Sequence, residues 1–264
     1  MKESRLLNFT KKDLRKVAVN IVQQIADLIY RVLAIKERKN IKNDIRARIK
    51  TSSKWRPGPK VYGVGLSKTG TTSLSRALEI LGYKESMHWI ENRMVIDWTE
   101  FFYADAATDI SCSFQFESLY HTFEESKFIY TVRDVKSWKQ SIKNHFRSKY
   151  HEEFDCPNEL RRIHTRDSFW GHRENEGGFH NSIQRIKVHE SLYAQHSSWE
   201  KAYRSFDSRI HQFFKDKPDD RLLKINIIDG EGWELLCPFL ECDIPNRPFP
   251  HANESGRNTQ LDPC

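Results

Sequence analysis

The stretch that most constrains the fold is Val61-Tyr62-Gly63-Val64-Gly65-Leu66-Ser67-Lys68-Thr69-Gly70-Thr71-Thr72-Ser73-Leu74. It reads as a short apolar strand, a turn bounded by glycines and the opening of a helix. A turn of this kind aims several backbone N–H groups at one point, and the helix N-terminus adds its partial positive charge. The guest such a cradle suits is an anion, phosphate above all. Lys68 adds a full positive charge, and Thr71, Thr72 and Ser73 add hydroxyl donors.

The spacing excludes the two commonest phosphate loops. A Walker A loop needs G-x-x-x-x-G-K-[ST]. Gly65 and Gly70 have that spacing, but Thr71 stands where the lysine belongs and the lysine lies inside the loop. The dinucleotide fingerprint G-x-G-x-x-G fails because Lys68 follows Gly65 where its third glycine should be. An ATP-using phosphotransferase, which would need the Walker lysine, is therefore the weaker reading.

The surrounding pattern is that of an α/β domain. A strand over Lys60–Gly65 precedes a helix from Ser73 to Leu81, and helical segments are expected over Ile90–Phe102 and Phe114–Phe123. The apolar run Phe128–Val132 reads as a buried strand and Val135–Tyr150 as a helix. Residues 151–182 read as a long loop. Ile183–Phe214 is helical, Leu222–Ile228 is a strand, and Gly232–Leu240 is a closing helix. Strands alternating with helices imply a central parallel sheet of about five strands covered on both faces.

Charge divides the chain in two. Residues 1–60 hold 17 Lys+Arg against 5 Asp+Glu, whereas the remainder holds 26 against 31. The slightly acidic body argues against nucleic acid as a partner. Val17, Ile21, Ile25, Leu28, Ile29, Val32 and Ile35 recur at helical spacing, between Lys11–Lys16 and the cations Lys36–Lys42. Residues 1–56 are thus expected to form a basic amphipathic helical arm and connector, ending before Pro57-Gly58-Pro59. It suits packing on the body, a homodimer contact or peripheral attachment to an anionic membrane. Five cysteines, an odd number without framework spacing, fit a reducing, cytoplasmic setting.

A second motif strengthens the phosphate reading. The strand over residues 128–132 ends in Arg133-Asp134, and Ser141 lies eight residues after the arginine. Gly65-x-x-Lys68-Thr69-Gly70-Thr71-Thr72-Ser73-Leu74 resembles the 5′-phosphosulfate loop of the sulfotransferases, and Arg133 with Ser141 resembles their 3′-phosphate grip. The resemblance is to a compact, largely microbial branch that uses 3′-phosphoadenosine 5′-phosphosulfate (PAPS), and it covers most of residues 60–254. It implies a three-layer P-loop-like domain over 57–264 that transfers a sulfuryl group to a hydroxyl or amine acceptor by in-line displacement. Ser67, Lys68, Thr69, Gly70, Thr71, Thr72, Ser73, Arg133 and Ser141 would bind the donor, and no metal would be required. The lysine–glycine loop that completes the 3′-phosphate pocket in cytosolic animal relatives is missing; Ser255-Gly256-Arg257 is a stand-in.

Chemistry assigns Lys68 to the leaving oxygen, where charge builds up. The acceptor hydroxyl needs a base, for which His88 and Asp109 rank above Asp105. The acceptor itself, a saccharide or another small molecule, is not legible. His164, Arg166, Trp170, His172 and Arg173 could form its lid. A non-catalytic, membrane-associated protein with a vestigial nucleotide site is a third reading, which the intact Lys68, Arg133 and Ser141 oppose.

Overall fold

The computed structural model describes residues 60–83, 86–88, 101, 104–123, 125–162 and 187–252. The basic arm, nearly all of the helix expected over Ile90–Phe102, the proposed lid residues 164–173 and Ser255-Gly256-Arg257 lie outside them.

Five parallel strands form one sheet: β1 (Val61–Val64), β2 (Ser86–His88), β3 (Ala106–Thr108), β4 (Lys127–Thr131) and β5 (Leu222–Ile225). Their order across the sheet is β2-β3-β1-β4-β5. β1 is central, pairing Tyr62 with Ala107 on one side and with Phe128 on the other. Among the described residues, the helices that cover the sheet include α1 (Thr71–Ile80), α2 (Ile110–Thr122), α3 (Val135–Tyr150), α4 (Trp199–Phe214) and α5 (Trp233–Leu240).

The two-residue period of the strands divides the core. Val61 and Ile129 face Leu74, Ala77 and Leu78 of α1 and Trp233 and Leu236 of α5. Tyr62, Val64, Phe128 and Tyr130 point the other way, into a larger core built on α2, α3 and α4. The result is three layers. Aromatic bulk carries the second core: Trp138, Trp199, Tyr193, Phe116, Phe146 and Phe154 are fully buried. This supplies the apolar volume that a chain with only 38% hydrophobic residues otherwise lacks.

Some boundaries differ from the sequence reading. α2 begins at Ile110 rather than Phe114, directly after β3, with Asp109 at its N-cap position. The helix expected over Ile183–Phe214 is interrupted. Its described part is helical from residue 187, passes into a π-helical turn at Glu190–Ala194 and then breaks, and a new helix starts after Ser198, whose hydroxyl accepts from the Lys201 amide at 3.2 Å. That hydroxyl satisfies an orphan first-turn donor and so allows the restart. β5 stops at Ile225, and Ile227–Asp229 turn as a 3-10 helix.

Candidate active site

The strand order reverses at β1: the chain runs from β1 outward to β2 and β3 on one side, then to β4 and β5 on the other. Ligands in open α/β sheets sit at such a switch point, beyond the C-terminal strand ends. Gly65–Gly70 follow β1 there, Asp109 follows β3 and Arg133 follows β4.

The loop is held from inside the fold. Ser113 on α2 reaches beneath it: its hydroxyl accepts from the Gly65 amide at 2.8 Å and donates to the Gly65 carbonyl at 2.7 Å. Gly65 itself is required by crowding, because a Cβ there would lie 2.0 Å from Thr131 Oγ1 and 2.9 Å from the Thr131 carbonyl oxygen. Ser67 is clamped on both sides. Its amide donates to the Tyr193 hydroxyl at 2.9 Å, and its carbonyl accepts from Trp138 Nε1 at 2.9 Å. Thr69 was expected among the donor contacts. It is instead fully buried, with its hydroxyl bonded to the Leu66 carbonyl and to Thr131 Oγ1, both at 2.7 Å, so the side chain shapes the loop.

Two residues of the loop have positive φ, Lys68 at 73° and Gly70 at 103°. Gly70 is the N-cap of α1 and has no side chain to accept from the first-turn amides. Those N–H groups lack an intrahelical acceptor by the geometry of a helix end. The Thr71 hydroxyl bonds Asp109 Oδ1 at 3.3 Å, and the Ser73 hydroxyl accepts from the Ala252 amide at 2.9 Å. The tail thus ties back onto the first turn of α1.

Arg133 joins the second motif to the first. Its NH1 donates to the Lys68 carbonyl at 3.3 Å and its Nε to Ser137 Oγ at 3.0 Å. Tyr203 fixes the arginine backbone, accepting from its amide at 3.1 Å and donating to its carbonyl at 2.7 Å. Asp134 caps α3 by accepting from the Ser137 amide at 2.8 Å. Ser137, Ser141 and His145 follow at four-residue spacing on one face of that helix.

Burial lowers the pKa of Lys68, the Arg133 guanidinium lowers it further, and Asp109 acts in the opposite direction. Lys68, Arg133 and Asp109 therefore share one electrostatic environment. Burial, then Lys68, then Lys149 hold the His145 imidazole down to about 4. The backbone of Asp109 is strained, with φ 80° and ψ −172°, a region populated almost only by glycine.

Of the base candidates, Asp109 stands against the loop. His88 ends the edge strand β2, paired with Thr108, with β3 between it and β1. Asp105 precedes β3, at the N-terminal end of the parallel strands, opposite the end from which the loop leaves β1. Sequence reasoning missed Ser113, Trp138, His145, Tyr193 and Tyr203. Only His145 left a local signal, the four-residue spacing from Ser141.

A phosphate-type cradle at the switch point of a parallel three-layer sheet defines the P-loop-like α/β class. Within it, a family model described as "Sulfotransferase domain" matches residues 60–104 and 95–258, and the chain belongs to that family. The chain is also similar to "Ava biosynthesis cluster protein M" of Aspergillus versicolor, 26% identical over 157 residues that make up 59% of this chain. The match spans 56% of that protein, just over half its length.

Proposed function

We propose that the protein is a PAPS-dependent sulfotransferase that works by in-line displacement on a hydroxyl or amine acceptor. The observation that carries this reading is the hydrogen bond from the Arg133 guanidinium to the Lys68 backbone carbonyl, which brings the two motifs together beyond the strand ends. The residues suit the donor: a glycine-walled loop, helix amides under a side-chain-free cap and two cations. When bound, PAPS supplies the sulfuryl group, and its phosphosulfate bridging oxygen takes up negative charge as the S–O bond breaks.

Lys68 and the loop amides stabilise that charge, an electrostatic effect strengthened by half-burial. Thr71, Thr72 and the α1 N-terminus hold the 5′-phosphate, while Arg133 and Ser141 hold the 3′-phosphate, the arginine as a two-pronged donor. Asp109 is the acceptor's base in this reading, with Thr71 fixing its carboxylate, and His88 is the less direct candidate. The relative named for a biosynthesis cluster supports a small-molecule acceptor, and a saccharide remains in the same class. The arm over residues 1–56 is proposed as a peripheral membrane or dimer contact.

The test is thermal melting with adenosine 3′,5′-bisphosphate, the desulfated product. A rise in Tm with the bisphosphate, and none with ATP and Mg²⁺, is expected. Arg133→Ala should weaken bisphosphate binding by about 2–5 kcal/mol. An unshifted wild-type Tm at millimolar nucleotide refutes the reading.

A further inference from the structure

The last helix closes on two cysteines. Glu241 follows α5 in left-handed backbone, with φ 57° and ψ 45°. Its amide donates to the Pro238 carbonyl at 3.3 Å, and the Cys242 amide donates to the Cys237 carbonyl at 3.1 Å. Such a pair of bonds, sixth residue to first and fifth to second, is a Schellman cap, in which the side chains of the first and sixth residues commonly touch. Both of those residues are cysteine here. Left-handed backbone disfavours a glutamate at the turn. Lys127, at the start of β4, holds it there by donating to the Phe239 carbonyl at 2.6 Å and to the Glu241 carboxylate at 2.7 Å. The backbone cap therefore fixes the two cysteines relative to each other.

Standard bond lengths on either side of the 3.1 Å contact put the two α-carbons within about 7 Å, and the bend at the amide nitrogen shortens that further. A disulfide spans about 4.4–6.8 Å between α-carbons. Cys237 is buried in the core beneath α5, whereas Cys242 is exposed. A hydrogen bond joins the two thiols.

We propose that Cys237 and Cys242 form a reversible dithiol–disulfide site whose oxidant is a small disulfide of the glutathione class. No nucleotide takes part, so the site stands apart from the PAPS reading.

Cys242 reacts first, because it alone of the pair meets solvent. Its thiol gives up its proton to water and attacks one sulfur of glutathione disulfide. The S–S bond breaks, and one glutathione leaves as thiolate. Cys237 then loses its proton and attacks the Cys242 sulfur, which expels the second glutathione. The two protein thiols give up two electrons and two protons, and one glutathione disulfide becomes two glutathione molecules. Burial, then the Cys242 thiol, then the carboxylates of Glu234 and Asp243 push the Cys237 thiol up to about 11. Cys237 is thus rarely a thiolate, which suits the second, intramolecular step rather than the first. Oxidation staples the root of the C-terminal tail to α5, and that tail reaches Ser73, whose hydroxyl accepts from the Ala252 amide at 2.9 Å.

The experiment equilibrates the native full-length protein with mixtures of reduced and oxidised glutathione. Acid quenching, alkylation of free thiols and mass mapping of tryptic peptides follow. Both cysteines fall in the peptide spanning residues 225–257. In wild type that peptide should lose two hydrogens and take no alkyl group. Cys237→Ala should stop at one glutathione on Cys242, and Cys242→Ser should leave Cys237 a free thiol. Cysteines this close in sequence pair to some extent even in an unfolded chain, so the deciding figure is the equilibrium constant against glutathione. It should be at least about tenfold larger in the folded protein than in urea, because the cap raises the effective concentration of one thiol at the other. A constant no larger in the folded protein, or glutathione persisting on Cys242 of wild type, overturns the inference. Both of those readouts use the unsubstituted chain.

Discussion

Gly65→Ala is the sharpest probe of how the loop is built. The added Cβ would stand 2.0 Å from Thr131 Oγ1, 2.7 Å from Thr69 Oγ1 and 2.9 Å from the Thr131 carbonyl oxygen. The hydroxyls can rotate, but the carbonyl cannot, because Thr131 closes the paired strand β4. Relief therefore requires the end of β1 to move from β4, which stretches the 2.7 Å Thr69–Thr131 bond and the Ser113 clasp on Gly65. Overpacking of this kind costs about 1–3 kcal/mol, and a lost buried hydrogen bond about 1–3 more. The sum, about 2–6 kcal/mol, corresponds to a fall in Tm of about 4–24 °C for a domain of this size. Scanning calorimetry of the full chain reads it, and bisphosphate titration reads the parallel loss of donor affinity. Gly82→Ala is the control, because a Cβ there meets nothing within 4 Å and only the positive φ of 95° is penalised. If Gly65→Ala melts within about 2 °C of the parent and binds nucleotide normally, this crowding does not govern the loop.

Three further outcomes follow from the site. Lys68→Ala should lower turnover by at least about a hundredfold while changing bisphosphate affinity far less, as steady-state kinetics with calorimetry would report. Tyr193→Phe leaves the half-buried Ser67 amide without its acceptor. Loop stability or donor affinity should fall by about 1–3 kcal/mol, and unchanged melting together with unchanged affinity would refute the clamp. His145, held at about 4 in the fold against an ordinary value near 6.5, takes up its proton first in the unfolded chain. Stability should therefore fall as pH drops from about 6.5 towards 4, with no contribution above that window, and His145→Gln should flatten that part of the Tm–pH profile.

The parts of the fold legible in the sequence are those specified locally. α3 runs over Val135–Tyr150 as expected, because Asp134 caps it and Trp138, Ile142 and Phe146 recur at helical spacing on its buried side. β1 and β4 stand out as apolar runs. β3 did not, since Ala106-Ala107-Thr108 is three residues long and alanine has little strand preference; its identity comes from pairing with both β1 and β2. The break before Ser198 was masked by apolar residues that keep their period across it. The site divides in the same way. Lys68, Arg133 and Asp109 belong to local patterns and converge. Trp138 and Tyr193, which clamp Ser67, lie 71 and 126 residues away from it, and only the tertiary fold brings them there.

The backbone of Asp109 has a practical consequence. Its φ of 80° with ψ near 180° suits glycine and costs an aspartate about 1–3 kcal/mol. Selection for heat resistance alone would reward Asp109→Gly, and the winning clone would have exchanged a carboxylate beside the loop for a relaxed peptide. Any campaign to toughen this scaffold should therefore hold position 109 constant.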